Sequence, residues 1–108
     1  MADHFYRIKA LGPAIKYYER VISLEPGRVH EYNKLGVLYY QKGQITEAGK
    51  YFQKAVEADP KVIESYINLG AIFMAQGKNQ QAREINKKGL LVDPGNVDLL
   101  EMKKDLGY

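Results

Sequence analysis

Residues 29–62 and 63–96 are one 34-residue unit written twice, with eight identical positions at that offset, among them Leu35 and Leu69, Gly36 and Gly70, and Pro60 and Pro94. A fixed period of this length marks a chain whose units cannot bury their apolar faces alone and build a core only by stacking on their neighbours. Such a chain presents its function on an extended surface rather than in an enclosed pocket.

Within each unit the apolar spacing is helical. Val29, Tyr32, Leu35, Gly36 and Tyr39 recur at steps of three and four, which predicts a helix over Val29–Lys42. Gly43 follows, and Gly77 holds the same place one period later; a glycine just past a helix end takes the left-handed conformation at little steric cost. A second helix is expected from Thr46, read as its cap, to Ala58, with Ala48, Tyr51, Phe52, Ala55 and Val56 as its apolar stripe and Asp59-Pro60 as its stop. The same pattern predicts helices over Ile63–Gln76 and Asn79–Val92, closed by Asp93-Pro94.

The period extends backwards without a gap. Pro26 precedes Pro60, Tyr17 precedes Tyr51, Ala14 precedes Ala48, Tyr6 precedes Tyr40 and Phe5 precedes Tyr39, so residues 1–28 read as a third unit lacking its opening residues. A short first helix is expected over Ala2–Lys9, with Gly12-Pro13 opening the second, because a proline in the first helical turn gives up only an N–H that would be unbonded anyway. Residues 97–108 begin a further first-type helix, Val97–Leu106, whose charged surface suits a terminal cap. All 108 residues are expected to form a single domain.

The set Tyr32, Leu35-Gly36, Tyr39, Gly43, Ala48, Phe52, Ala55 and Pro60 resembles the tetratricopeptide repeat, and Tyr66, Leu69-Gly70, Phe73, Gly77, Ala82 and Pro94 resemble it again. The resemblance implies an all-α, right-handed superhelical solenoid of antiparallel helix pairs, here about three repeats and a capping helix. It also implies a non-enzymatic module that binds a segment of another protein in a concave groove lined by the first-type helices. Asn86, in the place of Phe52, and Gly89, in the place of Ala55, depart from the pattern, so the helix around Asn86 is expected to be the least stable interior helix, a mid-helix glycine costing roughly 1 kcal/mol.

On the first-type helices, the face turned away from the partner helix carries His30, Asn33, Val37, Tyr40 and Gln41, and one period on Glu64, Ile67, Ala71 and Met74; Tyr6 and Arg7 match them in the incomplete unit. Stacking predicts a ladder of Tyr6, Tyr40 and Met74, with Val37 beside Ala71 and Asn33 beside Ile67. This floor is apolar and aromatic, the chemistry of a surface that buries an apolar peptide or an amphipathic helix. The alternative is self-association through the groove or through the incomplete N-terminal edge, where Ala14, Tyr17 and Tyr18 are left partly uncovered.

Other chemistries find little support. The lysine and arginine clamp by which some tetratricopeptide domains hold a terminal carboxylate has no counterpart, since Asp3, Glu64 and Asp98 stand where cations are needed and only Asn33 or Asn68 offers an amide. His4 and His30 lack a second ligand at helical spacing, so no metal or other cofactor is expected. The glycines follow the repeat and not a phosphate loop, no carboxylate sits beside a nucleophile, and the chain is not expected to be an enzyme. The net charge of +3 is spread without a basic run, and Tyr17, Tyr18, Tyr32, Tyr39 and Tyr51 fall on packing stripes, which leaves no basic-aromatic platform for nucleic acid. With no cysteine, no signal peptide and no apolar run of about 20 residues, the sequence reads as soluble, most simply cytoplasmic, without membrane insertion.

Overall fold

The computed structural model describes the backbone of residues 2–108 and the side chains of residues 11–108. Among them are six helices and no strand: α1 (Ala2–Leu24), α2 (Val29–Gln41), α3 (Ile45–Ala58), α4 (Ile63–Ala75), α5 (Asn79–Val92) and α6 (Val97–Leu106). Each helix packs on the next in sequence, and α2 also touches α4, which is the connectivity of a solenoid of antiparallel helix pairs.

The turns inside the pairs form as the glycines dictate. Gly43 and Gly77 have φ of +87° and +73°, and their neighbours close the helix ends through Gln44 N–H to Tyr39 O at 2.9 Å and Lys78 N–H to Phe73 O at 2.8 Å. This backbone closure lets α3 begin one residue earlier than the hydroxyl at Thr46 suggested. Gln44 is the N-cap, no side chain bonds it, and Thr46 lies within the first turn. Between the pairs, the Tyr66 hydroxyl donates to Pro60 O at 2.6 Å and pins the α3–α4 turn.

Small residues set how closely paired helices approach. A Cβ on Gly36 would lie 2.7 Å from Cζ of Phe52, so the ring of Phe52 occupies the space a larger residue on α2 would need. In the next unit Asn86 replaces that ring, and the volume is refilled from elsewhere: a Cβ on Gly70 would meet Sδ of Met102, from α6, at 2.7 Å. Gly89 is also filled around, by Leu99 of α6 and Tyr66 of α4. Asn86 is fully buried with its amide satisfied, its Nδ2 donating to Leu99 O at 2.9 Å and its Oδ1 accepting from the Tyr108 hydroxyl. The two departures that singled out α5 as weak are therefore the seat of α6. That helix has the fullest capping of the six, with Asn96 Oδ1 accepting from Leu99 N–H at 3.0 Å, Asp98 in its first turn, Lys103 and Lys104 in its last, and Gly107 left-handed behind it.

The N-terminal region differs from its expected form. Gly12-Pro13 does not open a separate helix; α1 runs through Pro13 as one helix of 23 residues. The reason is local. Ile8-Lys9-Ala10 stands one period before Lys42-Gly43-Gln44, and without a glycine at the turning position the backbone stays helical. One consequence reaches the side chains, because Tyr17, expected on a packing stripe, is 64% exposed and touches Tyr18 edge-on.

Substituting Gly36→Ala should destabilise the fold by about 1–2 kcal/mol, overpacking of roughly 1–3 kcal/mol being partly offset by better helix propensity. Gly70→Ala should cost clearly less, because the Met102 side chain can swing aside whereas the Phe52 ring is enclosed. Chemical denaturation of the two variants in parallel measures the difference.

A second expectation concerns pH. The Tyr39 hydroxyl donates to Glu19 Oε1 at 3.1 Å, tying α2 to α1, while its ring stacks on Tyr51 with centroids 5.4 Å apart. Desolvation first, and the Glu19 carboxylate second, push its pKa up to about 12. The phenol is thus harder to ionise folded than unfolded, so its contribution is intact below pH of about 10 and is lost as pH rises towards 12. Ultraviolet titration of the tyrosinates should show a late component that Tyr39→Phe removes.

Candidate functional site

Two adjoining clefts lie along α2 and α4, whose lining positions follow the same helical register in both. The larger, about 520 Å³, is bounded by Ala14 and Tyr18 of α1, by His30, Asn33, Lys34, Val37, Leu38 and Gln41 of α2, and by Glu64 of α4. The smaller, about 290 Å³, lies between Val37 and Tyr40 of α2, Phe52 of α3, and Asn68, Ala71 and Ile72 of α4. Val37 borders both.

The expected residues distribute unevenly over this groove. His30, Asn33, Val37 and Gln41 line the larger cleft, and Val37, Tyr40 and Ala71 the smaller. Val37 and Tyr40 are open to solvent, at 39% and 53% exposure. Ile67 and Met74 are half-buried instead, packed against Ala82, Met102 and Leu106 where α6 lies over α4. Tyr6 and Arg7 fall outside the residues whose side chains are described, and with them the first rung of the Tyr6–Tyr40–Met74 ladder.

Asn33 differs from the solvent-facing amide that its place suggested. It is 3% exposed, and its Nδ2 donates to Ser65 Oγ at 3.0 Å, across the α2–α4 contact. Its Oδ1 is buried without a partner, and so is Nδ2 of Asn68 in the smaller cleft. A buried amide atom left without a hydrogen bond costs about 1–3 kcal/mol, and both of these atoms are already out of reach of solvent. Lys34 and Leu38 had not been singled out, although the period places them where Asn68 and Ile72 line the smaller cleft, and that offset was the available signal.

The charge on these walls is sparse: Lys34 and Glu64 border the larger cleft and no ionised residue borders the smaller. Among the described residues no cluster of histidine, aspartate or glutamate could hold a metal ion, and no helix is long and apolar enough to cross a membrane.

Comparison with known proteins agrees with this geometry. A TPR repeat family model matches residues 36–77, and a tetratricopeptide repeat model matches residues 63–96. The chain belongs to the tetratricopeptide repeat family. No curated protein matches the sequence. Similar solved structures of TPR domains include that of Arabidopsis OM64, 20% identical, covering 94% of this chain and 84% of that one with a TM-score of 0.80. The second TPR domain of human RPAP3, in complex with the HSP70 peptide SGPTIEEVD, is 20% identical, with coverage of 98% and 88% and a TM-score of 0.82. The first TPR of Spaghetti (RPAP3), bound to the HSP90 peptide SRMEEVD, is 16% identical, with coverage of 96% and 82% and a TM-score of 0.81. At these identities the likeness is one of TPR fold.

Ser65→Ala removes the one partner of the Asn33 amide while leaving that amide buried. The TPR array should lose about 1–3 kcal/mol of stability, read as a lowered thermal midpoint, with helix content unchanged at low temperature.

Proposed function

We propose that the chain is a non-enzymatic TPR module that binds an apolar peptide or amphipathic helix of a partner protein in the α2–α4 groove. The observation that carries this reading is the pair of exposed apolar side chains, Val37 and Tyr40, on the smaller cleft, whose described lining holds no charged side chain. The apolar side chains of a partner segment would cover Val37 and Tyr40.

The RPAP3 and Spaghetti domains of similar fold were solved with acidic chaperone peptides, which lends support to peptide binding as the mode. The acidic specificity does not carry over on these residues. Among the described residues Lys34 is the one cation on either wall, and Glu64 borders the same cleft. The partner segment is therefore apolar rather than acidic.

Selection from a displayed library of short peptides should recover sequences rich in leucine, phenylalanine and methionine. Their affinity should fall about tenfold or more with Tyr40→Ala, a loss on the order of 1.4 kcal/mol, while SRMEEVD and SGPTIEEVD should bind no better than scrambled controls. Recovery of no apolar binder, or of binders indifferent to Tyr40, would contradict the reading.

A second reading is favoured by a different observation. Tyr17 and Leu24 on the outer helix α1 are 64% and 75% exposed, which suits self-association through the N-terminal edge.

A further inference from the structure

The larger cleft is the place of a helix that α1 does not supply. In the smaller cleft, Phe52 of α3 with Asn68, Ala71 and Ile72 of α4 form the wall that faces Val37 and Tyr40 of α2. One period earlier that wall is Tyr18, Lys34, Val37 and Leu38, and all four border the larger cleft together with Ala14. No helix lies in front of them. Ala14, Tyr18 and Leu38 are accordingly half-buried where their counterparts Ala48, Phe52 and Ile72 are buried.

The helix that would fit has a sequence signature, and this chain contains it. Against Phe52 stands Gly36, preceded by Leu35, and against Tyr51 stands Tyr39. One period earlier the same places are held by Met1, Ala2 and Phe5, with Ala2 the small residue for Tyr18 and Phe5 the aromatic for Tyr17. Within one copy the segment cannot reach the cleft, because α1 is continuous and Lys9 stands where a left-handed glycine is needed for the fold-back.

We propose that the cleft is filled by residues 1–8 of a second copy, in a reciprocal dimer built on two antiparallel α1 helices. This rests on the edge-association reading above and names its occupant. The register supports it independently. The pair Ala2 and Tyr18 is centred on residue 10, and the pair Phe5 and Tyr17 on residue 11, so a two-fold axis at residues 10–11 makes every contact twice and fills both clefts at once. A helix continuous through residues 10 and 11 is what such a closed, isologous contact requires. Ala10 and Ala14, one helical turn apart on one face, are the small residues that let two such helices approach at this crossing. The exposed Tyr17 then gains the aromatic partner that Tyr51 already has in Tyr39.

Light scattering over a wide concentration range tests this with three proteins. The full chain should have the mass of two copies. A chain lacking residues 1–9, with helix content confirmed by circular dichroism, should have the mass of one. Lys9→Gly, which allows the segment to fold back within its own copy, should raise the dimer dissociation constant at least tenfold. A full chain that is monomeric throughout would overturn both the occupant and the edge reading. A dimer that survives removal of residues 1–9 would overturn the occupant alone, and an unchanged dissociation constant in Lys9→Gly would overturn the role given to Lys9.

Discussion

The close approach of paired helices at a small residue is the constraint on which the remaining architecture depends. Gly36 against Phe52 brings α2 onto α3, and only with that distance set does Tyr39 stack on Tyr51. Because the contact is repeated at a fixed period, it also fixes the curvature of the array and so the face on which Val37, Tyr40 and Ala71 come together. The same constraint is met with different atoms in the following unit, where Met102 of α6 reaches Gly70 and a buried asparagine replaces the ring. A repeat need not conserve the residue so long as it conserves the filled volume.

The first and last helices treat their neighbouring pairs in opposite ways. At the C-terminal end α6 covers the last pair and is held by named polar contacts: Arg83 Nε to Leu106 O at 3.1 Å, Asn86 Nδ2 to Leu99 O at 2.9 Å, and Lys87 and Lys103 over the ring of Tyr108. At the N-terminal side α1 continues through the place where a turn would return the chain. The vacancy this leaves adjoins the peptide groove and shares Val37 with it. What covers the edge therefore also shapes one wall of the binding surface.

Most of the helices were legible in the sequence, since a pattern repeated at 34 residues carries its own confirmation and the glycines at 43 and 77 mark turns that only a left-handed residue makes easily. The misreadings have local causes. Matching Tyr6 to Tyr40 placed a helix pair in the first unit, but the periodicity of side chains does not encode the turn between them, and Lys9 in place of a glycine decides it. Asn86 read as a defect because its compensation comes from Met102 and Leu99, residues 13 or more positions away on another helix. Asn33 and Asn68 could be placed on the concave face, yet whether their amides were paired depended on Ser65 and on burial, which no spacing reveals.

The central claim is that the concave face between α2 and α4 is where a partner segment lies. Amide chemical-shift mapping of the labelled chain, titrated with a selected apolar peptide, tests it most directly. The account predicts that the largest changes fall on Val37, Tyr40, Asn68 and Ala71. Changes centred instead on α3, at Gln53 and Glu57, with those residues unmoved, would contradict it.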